Sequence, residues 1–216
     1  TDPKDVILKA TEGKSKAATT FYPPDSPFYD RALKQKQNDF RAAQKLIDAY
    51  VAEKGPITTT LLYFNSTPIP LLAAALMQGW NTLKNVNVQG EMLPTSQYVQ
   101  VRDRGDWSVT VPQALGPSFI EEVYPTYSCG SPQNIIKYCN PEMDKVHNEG
   151  RPVADLAGRK KVLAQYARII LGDYLMDRIY YNTRYTIGPT SIKGISNANA
   201  IYENHIDVAN VWRSRA

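Results

Sequence analysis

Residues 57–93 constrain the fold more tightly than any other stretch. ITTTLLYF (57–64) is β-branched and aromatic, the composition of a strand, and Asn65-Ser66-Thr67-Pro68 breaks it. IPLLAAALMQGWNTL (69–83) follows, apolar nearly all round, so it reads as a helix buried on most sides. NVNVQGEML (85–93) then alternates like a second strand. Thr95 or Ser96 caps a short helix running through Arg104, and DWSVTV (106–111) supplies a third strand. A β-α-β-α-β order buries its apolar surface by laying crossover helices against a sheet, so the expected class is α/β.

The flanks are helical at two further places. In YDRALKQKQNDFRAAQKLIDAYVAEKGP (29–56), Phe40, Ala43, Ile47, Tyr50 and Val51 recur at helical spacing, Asp30 is placed to cap, and Gly55-Pro56 ends the run. From Pro112 to Tyr138 periodicity disappears among Pro112, Gly116, Pro117, Pro125, Gly130 and Pro132, and an irregular segment of that length in a compact domain is commonly functional. Helical character returns at NPEMDKVHNEG, with Asn140 as cap and Pro141 in the first turn. It continues in ADLAGRKKVLAQYARIILGD, where Asp155 caps and Leu163, Tyr166, Ala167 and Ile170 line one face. The tail from Arg178 is aromatic and β-like, then loses regularity.

Charge and motifs narrow the function classes. The net charge is +4, but lysines and arginines are scattered and form no basic run, which reads as a solvated surface rather than a nucleic-acid patch. The longest apolar run, IPLLAAALM (69–77), falls short of a membrane-spanning helix. A chain that opens on Thr-Asp-Pro-Lys without Met reads as a piece of something longer. There are 2 histidines, His147 and His205; His147 lies in a polar helical stretch with no second histidine one turn on, which suits a surface position rather than metal ligation. No GxSxG, HExxH, P-loop or GxGxxG occurs, and Glu121-Glu122 and Asp103/Asp106 read as solvated turns. Neither a cofactor nor a metal is expected. Cys129 and Cys139 are too few for a structural zinc site and too far apart for a CxxC redox motif. That leaves a disulfide closing a short loop, or two buried thiols in a reducing compartment.

Taken in order, five stretches resemble one family. They are KATEGKSKAATTFYPPDSPFYD, AALMQGWNTLKNVNVQGEMLPTSQYVQVRDRGDWSVTV, YCNPEMDKV, AGRKKVLAQYARIILGDYLMDRIYY and IKGISN. Together they look like the C-terminal part of the family 5 extracellular solute-binding proteins, the dipeptide, oligopeptide and nickel binders of ABC transporters. The resemblance implies a clamshell receptor that closes on a small solute and docks on a membrane permease. On that pattern residues 1–20 would end a preceding hinge segment. Residues 21–178 would form the C-terminal ligand-binding lobe, with a mixed sheet flanked by helices. Residues 179–216 would cross back to an N-terminal lobe that this chain does not contain, leaving apolar surface near Tyr180, Tyr181, Tyr185 and Trp212 uncovered. The resemblance also implies that Cys129 and Cys139 are bridged, and hence a periplasmic or cell-surface address, with or without a lipid anchor.

The departures from the family pattern bear on the ligand. Dipeptide binders of the family carry an Arg after the first strand and a Trp and Asp after the third, which hold the two charged ends of the ligand. Here the first region reads NSTPIPLLAAAL and the second VPQALGPSF, so neither anchor is present. Charge-assisted hydrogen bonds are the strong ones. A ligand without free charged termini is therefore expected in this lobe: a blocked or longer peptide, a sugar conjugate or an opine-like compound. Ligands of α/β folds sit where strands give way to loops. The expected contacts are thus Asn65, Ser66 and Thr67 after the first strand and Gln113, Ala114 and Leu115 after the third, with Asn134 in the cysteine loop. Helix capping is the competing reading for Asn65 to Thr67. A sensor of the same fold and a secreted hydrolase are the competing functions; the latter lacks any nucleophile–base pair at recognisable spacing.

Overall fold

The α/β layer expected from residues 57–111 forms, and its strands are all parallel. In a computed structural model describing residues 1–111, 125–181, 188–194 and 211–214, β2 (Ile57–Phe64) pairs in parallel with β3 (Val86–Leu93) on one side and β4 (Val109–Thr110) on the other. It is preceded by α1 (Pro3–Thr11), β1 (Lys16–Ala17) and α2 (Phe40–Lys54), with α3 (Ile69–Trp80) and α4 (Thr95–Arg104) as the connecting helices. The order is β3-β2-β4, so β2 is central, and Leu61 and Leu62 at 0% and 1% exposure show it. Full burial of each such leucine is worth about 2 kcal/mol. α3 buries Ile69, Leu72, Ala73, Ala75 and Leu76, and together with Val6 and Ala10 of α1 and Val88 of β3 these make one core.

A second core forms around α5 (Pro141–Gly150) and α6 (Leu156–Gly172). Met143, Val146, Leu163, Tyr166, Ala167 and Ile170 meet Phe21, Tyr22, Phe28 and Leu33 there. The two helices approach closely because Gly150 has no Cβ, which would stand 2.4 Å from Val162 Cγ1. Asn140 and Asp155 cap these helices as expected, accepting from the Glu142 and Gly158 amides.

Three expectations are corrected here. The helix expected from Asp30 begins at Phe40, capped by Asp39. Asn38 stands at φ 56°, outside the right-handed helical region, and residues 30–38 are spent on turns that bury Leu33 and bridge Thr20 to Lys34. The α4 helix starts at Thr95 directly after Pro94 and has no side-chain cap from Thr95 or Ser96. His147 is buried at 7% exposure, with Nδ1 3.1 Å from the Tyr166 hydroxyl, because it shares the inward face of α5 with Met143, Val146 and Gly150. Less of α2 is covered than its periodicity suggests: it has no fully buried residue, and Leu46 and Tyr50 are exposed at 71% and 52%.

The two ends of the fold are tied together. β1 pairs antiparallel with β5 (Tyr180–Tyr181), Lys16 opposite Tyr181, and the Ala18 amide extends the ladder to the Ile179 carbonyl at 3.1 Å. Gln35 threads this clasp. Its Nε2 donates to the Ala18 and Arg178 carbonyls at 2.9 Å each, and its Oε1 accepts from the Arg178 amide at 2.7 Å. The Tyr181 hydroxyl accepts from the Thr20 amide at 3.1 Å and donates to the Thr20 carbonyl at 2.9 Å. Arg178 lies over the Phe21 ring of the second core at 4.5 Å, while Ile179 and Tyr180 pack on the first, so the clasp joins the two. Tyr180 and Tyr181 are accordingly half-buried within this chain rather than bare; Trp212 is exposed at 58%, and Tyr185 lies outside the described residues. The last strands, β6 (Ile192–Lys193) and β7 (Trp212–Arg213), pair with each other.

Two predictions follow from these contacts. Gln35→Leu strands the Ala18 carbonyl and the Arg178 amide and is expected to cost about 1–3 kcal/mol in urea denaturation. Gln44→Leu, which loses solvent-exposed bonds to the Lys84 backbone, should cost less. Tyr127, in the second core, has its phenol pushed up to about 12 by burial, with Arg178 pulling the other way. An unfolded tyrosine releases its proton near pH 10, so the contribution of Tyr127 is intact below about pH 10 and is lost as pH rises through about 12. Melting temperatures taken across that window should fall less steeply for Tyr127→Phe than for the unsubstituted chain.

Candidate functional site

At the carboxyl end of β2 the chain turns through Asn65, Ser66 and Thr67, all exposed, into a cis Thr67–Pro68 peptide and α3. Backbone bonds pin this turn at both ends. The Asn65 amide donates to the Leu93 carbonyl at 3.0 Å, tying the ends of β2 and β3, and the Ile69 amide donates to the Ser66 carbonyl at 2.8 Å. The side chains are not engaged. α3 has Pro68 at its N-cap and no side-chain cap. None of the three side chains makes a hydrogen bond among the described residues. The capping reading therefore fails, and three neutral donor–acceptor groups stand open at the end of the central strand.

Tyr98, which sequence reasoning passed over, holds this rim. It is 2% exposed, its ring lies 5.0 Å from that of Phe64, and its hydroxyl stands 3.0 Å from Thr110 Oγ1 and donates to the Val111 carbonyl at 3.3 Å. Burial raises its phenol above the ordinary tyrosine range, so it stays neutral. Thr110 in turn donates to the Leu62 carbonyl at 3.0 Å. This chain of bonds fixes where β4 releases the segment carrying Gln113, Ala114 and Leu115, which lie outside the described residues, as do Glu121, Glu122 and His205. The sequence signal for Tyr98 was a lone aromatic on a largely polar helix.

Cys129 and Cys139 form a disulfide. Inside its loop Asn134 is buried and spends its side chain on the loop itself. Its Nδ2 donates to the Ser128 carbonyl at 2.8 Å and to the Tyr138 carbonyl, and its Oδ1 accepts from the Tyr138 amide at 3.2 Å. Asn134 therefore sets the shape of the loop. The Cys129 amide donates to Asp144 of α5 at 3.3 Å, and Tyr138 donates to Asp173; its phenol is pushed up to about 12 by burial first and by that carboxylate second. The loop also rests on the end of α4. Gly105 sits at φ 75°, and a Cβ there would stand 2.9 Å from the Lys137 side chain and 3.1 Å from the Ile135 carbonyl. Asp103 and Asp106 pair with Arg102 and Arg104 at the surface. Among the described residues no group of three or more His, Cys, Asp or Glu side chains is placed to hold a metal ion, and no described helix is long and apolar enough to cross a membrane.

No family model matches the chain. It is 24% identical over 229 residues to the periplasmic oligopeptide-binding protein OppA of Haemophilus influenzae, covering 97% of this chain and 40% of that protein. It is 22% identical over 198 residues to a probable di/tripeptide-binding protein of Pseudomonas aeruginosa, covering 89% and 38%. The chain thus spans about 40% of the length of these relatives. Among solved structures, Haemophilus influenzae OppA in complex with the peptide RPPGFSPFR superposes with TM-score 0.73 at 21% identity, over 98% of this chain and 43% of that one. The oligopeptide-binding protein AppA of Bacillus subtilis, in complex with a nonapeptide, superposes with TM-score 0.75 at 15% identity, over 100% and 46%. These are proteins of the kind that the sequence resemblance implied.

Breaking the disulfide removes the constraint on an eleven-residue loop. By the loop-entropy relation this should lower stability by about 2–3 kcal/mol, read as a shift in the urea midpoint of Cys129→Ser/Cys139→Ser.

Proposed function

Starting from a chain that has the fold of the oligopeptide-binding solute-binding proteins, we propose that it supplies one lobe of a substrate-binding protein. That protein serves an ABC importer, and this lobe forms one wall of its solute cleft. The observation that carries the reading is the open turn Asn65-Ser66-Thr67 at the end of the central strand, backed by Tyr98. Neutral side chains on a turn pinned by backbone bonds suit the recognition of backbone amides and hydroxyls. They offer no counter-charge to a free ammonium or carboxylate. The ligand is accordingly a blocked or longer peptide, a sugar conjugate or an opine-like solute, whose charged ends are absent or lie beyond this lobe. Gln113, Ala114 and Leu115 complete the wall from β4, and the disulfide loop, shaped by Asn134, flanks it.

The second lobe, in this reading, belongs to the same protein and lies outside the chain; residues from about 179 onward lead back to it. The partner of the loaded receptor is a membrane permease. The disulfide suits an oxidising, extracytoplasmic compartment. Binding, not catalysis, is the task.

Calorimetric titration of the protein that contains this lobe distinguishes the ligand classes. Free dipeptides are expected to bind at least about tenfold more weakly than longer or end-blocked peptides, a difference of about 1.4 kcal/mol. Ser66→Ala/Thr67→Val should weaken the preferred ligand by about 1–2 kcal/mol while leaving the melting temperature in place. Tight binding of free dipeptides would overturn the assignment of ligand class.

A further inference from the structure

A cavity of about 400 Å³ opens between residues 32–36 and the carboxyl end of α6 with the segment that follows it. That volume lies in the range of small-molecule sites, roughly 300–1,000 Å³. We propose that it is a second ligand site, taking a small organic anion: a carboxylate carried on an apolar or aromatic body. The proposal is independent of the cleft reading, and a failure of either leaves the other standing.

Charge and shape both point to that class. Lys34, Lys36 and Arg168 bring three cations to the lining, and Asp177 is the one carboxylate among the lining residues. Arg168 is engaged with Asp30 at 3.9 Å, with the arginine side chain 59% exposed. A pair so long and so wet is worth little, and a guanidinium that exchanges it for a bidentate carboxylate gains. Leu171 and Met176 supply an apolar wall continuous with the second core. Tyr174 stands beside them at φ 54°, a left-handed conformation unusual for a bulky residue; the residue is 67% exposed and its hydroxyl lies 2.8 Å from Lys36 Nζ. An exposed aromatic ring, an apolar wall and a cationic rim together match an amphipathic anion better than an inorganic one.

The same cavity touches the clasp. Gln35 and Asp177 both line it. Gln35 bonds the Arg178 backbone directly, and Gln37 bridges Asp177 Oδ1 and the Arg178 carbonyl at 3.1 Å and 3.0 Å. An occupant therefore bears on the point where the two cores are joined, and binding should stiffen it.

Titration of the ¹⁵N-labelled chain with benzoate tests this. The expected result is saturable shifts confined to the amides of residues 33–36, Arg168 and 171–177, with slower amide exchange at Arg178 when benzoate saturates. Lys34→Gln/Arg168→Gln should raise the apparent Kd at least tenfold with an unchanged melting temperature. Should that variant melt early, Lys36→Gln alone gives the same reading. Shifts that stay linear, that spread over all surface lysines or that survive the substitutions would overturn the site. Equal saturation by inorganic phosphate at matched ionic strength would overturn the choice of an organic anion.

Discussion

The pairing of β1 with β5 is the contact on which the rest of the structure depends. It joins residues about 160 positions apart, so closing it costs loop entropy that only a dense set of bonds offsets. Gln35 supplies three of them with one side chain, and Tyr181 adds more through one hydroxyl. The result is that two cores, one built on a parallel sheet and one on a helix pair, share a seam at Arg178 to Tyr180. Together with the close approach at Gly105, that seam holds the α5–α6 layer, with the disulfide loop anchored to it, against the sheet.

What the sequence disclosed and what it hid divide along local and non-local lines. The unit from β2 to β4 was legible because its periods are clean: a β-branched run, an all-apolar helix, an alternating run. The caps at Asn140 and Asp155 were legible because capping is a local bond. Asp30 misled because it looks like a cap to anyone reading forward, whereas Asn38 resets the backbone and Asp39 does the capping. His147 misled because its neighbours in sequence are polar, although its spacing to Met143, Val146 and Gly150 marks an inward face. Gln35 could not have been found: nothing local distinguishes it from Gln37 or Gln44, and its partners lie 17 and 143 residues away.

The candidate site shows the same division. The rule that ligands gather at strand carboxyl ends pointed to Asn65, Ser66 and Thr67, which lie exposed there and do not cap α3. Asn134 was singled out for its loop, and its side chain bonds the Ser128 carbonyl and the Tyr138 backbone within it. Tyr98 escaped notice because its value lies in reaching Phe64, Thr110 and Val111 at once, contacts made across the sheet end. The neutral rim, the braced β4 and the stapled loop are three consequences of one layout, in which irregular segments are pinned by side chains from the regular elements.

Native-state amide hydrogen exchange tests most directly whether the clasp unites the two cores. If it does, the amides of Ala18, Gln35 and Arg178 open only with the whole fold, at the same free energy as those of Leu61 and Leu62 in β2. Exchange at Ala18, Gln35 and Arg178 in the range of fraying ends, with β2 still protected, would show instead that the seam is a surface contact and that the cores stand apart.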